Sequence, residues 1–148
     1  MTVSTPRWLL DTNIISALMR NPSGEVAANM TTALRGFEGA RICTSVIVDC
    51  ELQFGLQKSQ SARYRQAYEV TMGAIETLPL EGQVARQYAS IRDYLQQRGT
   101  PIGPNDMLIA AHALALDCTL VTDNEEEFRR VPGLRVENWL RADNQSGT

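Results

Sequence analysis

The sequence predicts an α/β fold in which a mostly parallel sheet of four to five short strands is covered by helices on both faces. Segments with helical spacing alternate along the chain with short, β-branched apolar runs. Those runs are continuous rather than alternating, and no two-residue hairpin turn joins any of them. Strands buried on both faces and linked through helices have this signature.

Each element has a local reason. RWLLDT at 7–12 forms a short buried strand that a helix follows immediately. In 23–37, Val26, Met30, Ala33 and Leu34 share one helical face, which Gly36 and Gly39 end. RICTSVIV at 41–48 begins as a second strand, and the chain passes into a helix, through ELQFGLQK, from about Val46. A helix over 63–75 precedes a third strand, TLPL, at 77–80. Val84, Tyr88, Ile91 and Leu95 recur at helical steps in a polar setting, so 82–97 is amphipathic; RGTPIGP at 98–104 is the loop after it. The segment 105–116 is apolar almost all round and is a buried helix. CTLVT at 118–122 is a buried strand, and 134–136 supplies an edge strand.

With 148 residues, 43% of them hydrophobic, the chain is expected to fold as one domain over 1–140, with a disordered tail over 141–148. The longest near-apolar run, LIAAHALAL at 108–116, is too short to span a bilayer, which takes about 18 residues or more. MTVSTPR lacks the regions of a signal peptide, so a soluble, cytoplasmic protein with no membrane partner is expected. Cys43, Cys50 and Cys118 show no metal-ligand spacing and are expected as reduced core thiols. The net charge of -3 makes no global claim on nucleic acid, although thirteen of the fourteen basic residues are arginine.

Side chains that act on ligands collect at the carboxyl ends of strands in a parallel sheet. Asp11 and Asp123 fall at such ends, Glu51 lies a turn or two past the second strand, and Asp106 lies in the first turn of the buried helix. Each also has a purely structural reading. Asp11 suits the N-cap of the next helix. Asp106 complements a helix dipole behind Pro104. Glu51 suits an exposed helix face, and Asp123 an N-cap to which Glu126 reaches back. Their joint placement points further, because converging carboxylates repel unless one takes a proton or a cation sits between them. Hard oxygen ligands suit Mg²⁺ or Mn²⁺. His112, the single histidine, lies about 240° round the helix from Asp106 and is expected in the core. With no imidazole base at hand, metal-assisted chemistry on a phosphate is the economical reading.

LLDTNIISALM at 9–19, TSVIVDCELQFGLQKS at 44–59, GTPIGPNDMLIAAHALAL at 99–116 and LVTDNEEEFRRVPGLRVENW at 120–139 resemble, in order and spacing, the signature regions of PIN-domain ribonuclease toxins of the VapC type. The resemblance implies a PIN-like three-layer sandwich and a Mg²⁺- or Mn²⁺-dependent endoribonuclease that cleaves structured RNA such as tRNA or rRNA. It carries metal binding onto Asp11, Glu51 and Asp106. The family pattern after the last buried strand favours Asn124 over Asp123, so the fourth catalytic position is shared between the two. Thr12, Asn13 and Thr122 are expected to support the acids. Arg98, Arg129 and Arg130 are candidate RNA contacts, with ordinary surface solvation as the alternative. A cognate antitoxin and a homodimer are the implied partners, with Gln53, Phe54, Leu56, Tyr64 and Tyr68 offering apolar surface or core. The competing readings are a PIN-fold binding module for RNA or protein without useful catalysis, and a nuclease of RNA maturation. A haloacid-dehalogenase-like phosphatase fits poorly, since it expects a second aspartate where Asn13 stands.

Overall fold

A computed structural model describes residues 5–142. Five parallel strands form one sheet: β1 (Arg7–Leu10), β2 (Arg41–Ser45), β3 (Glu76–Leu78), β4 (Thr119–Val121) and β5 (Val136–Glu137), in the order β3-β2-β1-β4-β5. Between them run α1 (Thr12–Arg20), α2 (Glu25–Gly36), α3 (Val46–Ser59), α4 (Ala62–Gly73), α5 (Gly82–Arg98), α6 (Pro104–Ala115) and the single turn α7 (Glu125–Phe128). Helix α5 packs along α6, α1 packs against α2, α3 and α4, and α3 also meets α6. The result is the expected α/β sandwich, with the PIN-like sheet between helical layers.

The central strand is β1, whose Leu9 and Leu10 are wholly buried because neighbours cover both edges and helices cover both faces. Leu10 sits beside Thr44 on β2 and Val121 on β4, so the carboxyl ends of three strands are in register. The Thr44 hydroxyl donates to the Leu10 carbonyl at 2.6 Å, which satisfies a polar group in an otherwise apolar layer.

The strands stop where side chains take over from the ladder. At Ser45 the hydroxyl accepts the Ile47 N–H, and the chain turns into α3 at Val46, as expected. β3 ends before Pro79, which has no N–H for a ladder. Pro104 opens α6 at its first position, and Gly99 closes α5 in the left-handed conformation at φ 68°. The short helix α7 was not expected, since one turn carries too little periodicity to read. The edge strand falls at 136–137 rather than 134–136.

Three expectations need correction. Cys43 and Cys118 are buried, but Cys50 is exposed on α3, on a helix face whose apolar neighbours pack the other way. Leu56 belongs to the core, and of the apolar residues expected to offer surface only Phe54 is broadly exposed, at 64%. Arg141, expected at the start of a disordered tail, is held by Glu125 at 2.8 Å; the rest of that tail from residue 143 lies outside the described residues. Among the described residues no helix is long and apolar enough to cross a membrane.

A buried side chain of α2 also fastens the C-terminal segment. Asn29 of α2 is buried, and its amide donates to the carbonyls of Trp139 and Arg141, each at 3.0 Å. Replacing it with alanine leaves those carbonyls without their donor. Asn29→Ala is expected to lower the unfolding free energy by about 1–3 kcal/mol in a urea titration.

Candidate active site

The carboxyl edge of the sheet is acidic, and Asp11 is its centre. As the residue after β1 it caps α1: Oδ1 accepts the Thr12 N–H at 2.8 Å. The other oxygen, Oδ2, accepts the hydroxyl of Thr122, the residue after β4, at 2.7 Å. Thr122 is fully buried and in turn accepts the Asn124 N–H at 3.0 Å. The cap and the functional reading of Asp11 are therefore compatible. Each carboxylate oxygen spends one acceptor position on the fold and keeps another free.

The second acid arrives through Thr12. Its N–H binds Asp11 while its hydroxyl donates to Glu51 Oε1 at 2.5 Å, so one residue joins the carboxylates of α3 and the β1 end. The third comes from the first turn of α6. Asp106 is half-buried beside Gly103, and a Cβ built on Gly103 would stand 3.6 Å from Asp106 Oδ2 and 3.9 Å from Glu127 Oε1. Two carboxylates thus flank a residue that carries no side chain.

Glu127 is the member the sequence reading missed. Its Oε1 accepts the Gly103 N–H at 2.8 Å, its Oε2 accepts the Asn124 amide, and it shares a hydrogen with Asp106. Asp123, the expected fourth acid, is exposed and turned aside: its N–H donates to Asn13 Oδ1, and its carboxylate accepts the Asn138 amide, both at 3.0 Å. Asn124, the other candidate, orients Glu127. The reason is local geometry. The chain leaves β4 into α7 with Asn124 as its N-cap, and three residues on, Glu127 lies over the cap. The available signal was the spacing of Asn124 to Glu127, which is the same three residues as that of Asp123 to Glu126.

The electrostatics follow from this crowding. Burial pushes the Asp11 carboxyl up from its ordinary value; its hydrogen bonds from Thr122 and Thr12 oppose that, and the negative charges of Glu51 and Glu127 add to it. Asp106 is pushed up to about 7, first by burial, then by Asp11 and Glu127. Burial acts upward on Glu127 as well, but the Gly103 N–H, the Asn124 amide, the hydrogen shared with Asp106 and the charge of Arg130 outweigh it and hold the group low. One proton is thus unevenly shared between Asp106 and Glu127. Two environments have pushed apart the affinities of like groups.

A donor set of carboxylate oxygens suits a small hard dication and suits neither zinc nor copper particularly well. The like-charge repulsion that lifts Asp106 is the energy a cation placed among these groups would relieve. Among the described residues, no three acids stand at chelating distance. His112 is not part of the cluster; it is buried, with Nδ1 2.8 Å from Ser45 Oγ.

The expected RNA contacts divide. Arg130 is exposed, donates to the Pro101 carbonyl at 3.1 Å and lies close enough to Glu127 to stabilise its charge. Arg98 closes α5 with its guanidinium 4.6 Å over the Tyr94 ring. Arg129 is paired with Glu125 at 3.0 Å.

Comparison with known proteins identifies the family. The PIN domain family model matches residues 8–134. Ribonuclease VapC2 of Rickettsia felis is 36% identical over 139 residues, spanning 89% of this chain and 97% of its own. The tRNA(fMet)-specific endonuclease VapC of Salmonella typhimurium is 34% identical over 136 residues, spanning 90% and 98%. Among solved structures, VapBC2 from Rickettsia felis bound to a DNA fragment from the promoter superposes with TM-score 0.83 at 33% identity, covering 90% of this chain and 98% of that one. VapBC-1 from nontypeable Haemophilus influenzae gives 0.79 at 33%, covering 91% and 99%. The chain therefore belongs to the PIN-domain family, in its VapC group of ribonuclease toxins.

Proposed function

We propose that this protein is a metal-dependent endoribonuclease, the toxin of a toxin-antitoxin pair, which cuts a structured RNA. The observation that carries the reading is the meeting of Asp11, Glu51, Asp106 and Glu127 at one edge of the sheet, where Asp106 keeps a proton near neutrality. Asp11, Asp106 and Glu51 would hold Mg²⁺ or Mn²⁺, with Glu127 as the fourth acid in place of Asp123. The bound ion would lower the pKa of water and offset charge on the phosphate. Thr12 and Thr122 fix the orientation of Asp11, and Thr12 also holds Glu51. Glu127 serves Asp106 as a proton partner. Asn124 and the Gly103 N–H keep Glu127 ionised for that task.

RNA must approach an acidic edge, so cations have to border it. Arg98 ends α5 and Arg130 donates to the Pro101 carbonyl in the loop between α5 and α6, so both suit that role. A tRNA substrate is supported by the relative named as a tRNA(fMet)-specific endonuclease. The antitoxin partner is supported by the solved VapBC complexes. A second reading, a PIN-fold binding module, draws on one feature: Asp106 and Glu127 satisfy each other without an ion.

Cleavage of total RNA by the purified protein separates the two. Discrete fragments are expected with Mn²⁺ or Mg²⁺ and none with EDTA. Asp11→Asn and Asp106→Asn are expected to lose more than about a hundredfold in rate, beyond the range of outer-shell changes, and Glu127→Gln about tenfold. Asp123→Asn is expected to leave the rate within about twofold, since its carboxylate faces Asn138. Metal-independent binding without cleavage in every lane would favour the binding module.

The proton on Asp106 makes metal-free stability depend on pH. Its pKa of about 7 in the fold lies above the unfolded value. Its stabilisation is therefore fully present below the unfolded pKa and is lost as pH rises through about 7. In EDTA the melting temperature is expected to fall from about pH 6 to about pH 8 more steeply for the wild type than for Asp106→Asn. Parallel profiles would rule out the shared proton.

Arg130→Ala is expected to weaken binding of tRNA to the uncleaving Asp106→Asn protein, and to reduce the slope of log affinity against log salt by about 1. An unchanged slope would remove Arg130 from the RNA path.

A further inference from the structure

Helices α3 and α6 carry Glu51 and Asp106 and meet each other. Their side-chain contact at the far end of that meeting is between Ser45, the N-cap of α3, and His112, in the last turn of α6. Both residues are buried, Ser45 fully and His112 to within 1%. Six positions separate Ser45 from Glu51, and six separate Asp106 from His112, which is about 9 Å of helix rise in each case. The acids and the link therefore stand at opposite ends of one helix–helix contact, with arms of equal length.

Burial holds His112 below its ordinary pKa. Its Nδ1 shares a hydrogen bond of 2.8 Å with the Ser45 hydroxyl, and the same hydroxyl oxygen accepts the Ile47 N–H at 3.1 Å. The bond thus ties the first turn of α3 to α6 through a single oxygen. Polar side chains are expensive to bury in an apolar helix contact, and an aliphatic residue at 112 would fill the same space without that expense.

We infer that His112 and Ser45 are positioning residues, whose hydrogen bond sets the separation of Glu51 and Asp106 and hence the affinity of the edge for its divalent ion. The inference rests on the metal reading proposed above. His112 touches neither substrate nor metal; it acts through the two helices.

Mn²⁺ binding to the full chain, followed by the electron paramagnetic resonance of free Mn²⁺, tests it without any activity assay. His112→Asn places an amide atom where Nδ1 stands and is expected to bind Mn²⁺ within about twofold of wild type, whereas His112→Gln places its amide at the Nε2 position, and Gln and Leu are each expected to bind about tenfold more weakly. Asparagine and glutamine are similarly polar in a buried site, so a general loss of packing moves both alike. Only the link separates them. Ser45→Ala removes the same bond from the other side and is expected to match Leu, which keeps the test decisive if the Leu variant fails to fold. Equal affinity of wild type, Gln and Ser45→Ala overturns the link while leaving the metal site standing. Absence of Mn²⁺ binding by the wild type overturns the metal reading itself, and the link with it.

Discussion

A buried carboxylate among others of its own sign is the constraint around which this protein is arranged. Asp11 ends the central strand with almost no access to water, and burial pushes it toward the neutral form. The fold opposes that with two directed donors, the Thr12 N–H and the Thr122 hydroxyl, each supplied by a different strand end. Parallel strands in register make this possible, because the residues after β1 and β4 emerge side by side. An antiparallel neighbour would have delivered the start of a strand there instead.

The remaining acids are held by the same economy of parts, in which one residue serves two. Thr12 joins Asp11 to Glu51, Gly103 lets Asp106 and Glu127 approach its backbone, and Asn124 opens α7 while its amide orients Glu127. Such sharing ties the stability of helix ends to the geometry of the site. It also explains how the edge tolerates its charge: Asp106 takes up a proton, Glu127 is compensated by donors, and Arg130 adds a positive charge at the border. On the metal reading proposed above, a dication would compete with a proton for the same oxygens.

Much of the fold was legible because its signals are local. Ser45 as the point where strand becomes helix, Pro104 as the opening of α6, and the helical spacing of Val84 to Leu95 each depend on a few adjacent residues. The placement of Asp11, Glu51 and Asp106 was legible for a related reason: each sits within a turn or two of the start or end of a definite element. Position within an element is a short-range property. Cys50 was misjudged because its apolar surroundings in sequence lie on the other face of α3.

The sequence by itself determined the order of strands and helices, the parallel sheet, and three acids at its carboxyl edge, since hydrophobic period, capping residues and chain connectivity act over a turn or two. Only the tertiary structure brought Glu127 to Asp106 and Ser45 to His112. Both depend on where α6 and α7 come to rest against residues distant in sequence, and those distances are set by packing rather than by any local pattern. Glu127 is an ordinary helix residue until Gly103 and Asp106 are brought to it. His112 is an ordinary core residue until Ser45 is.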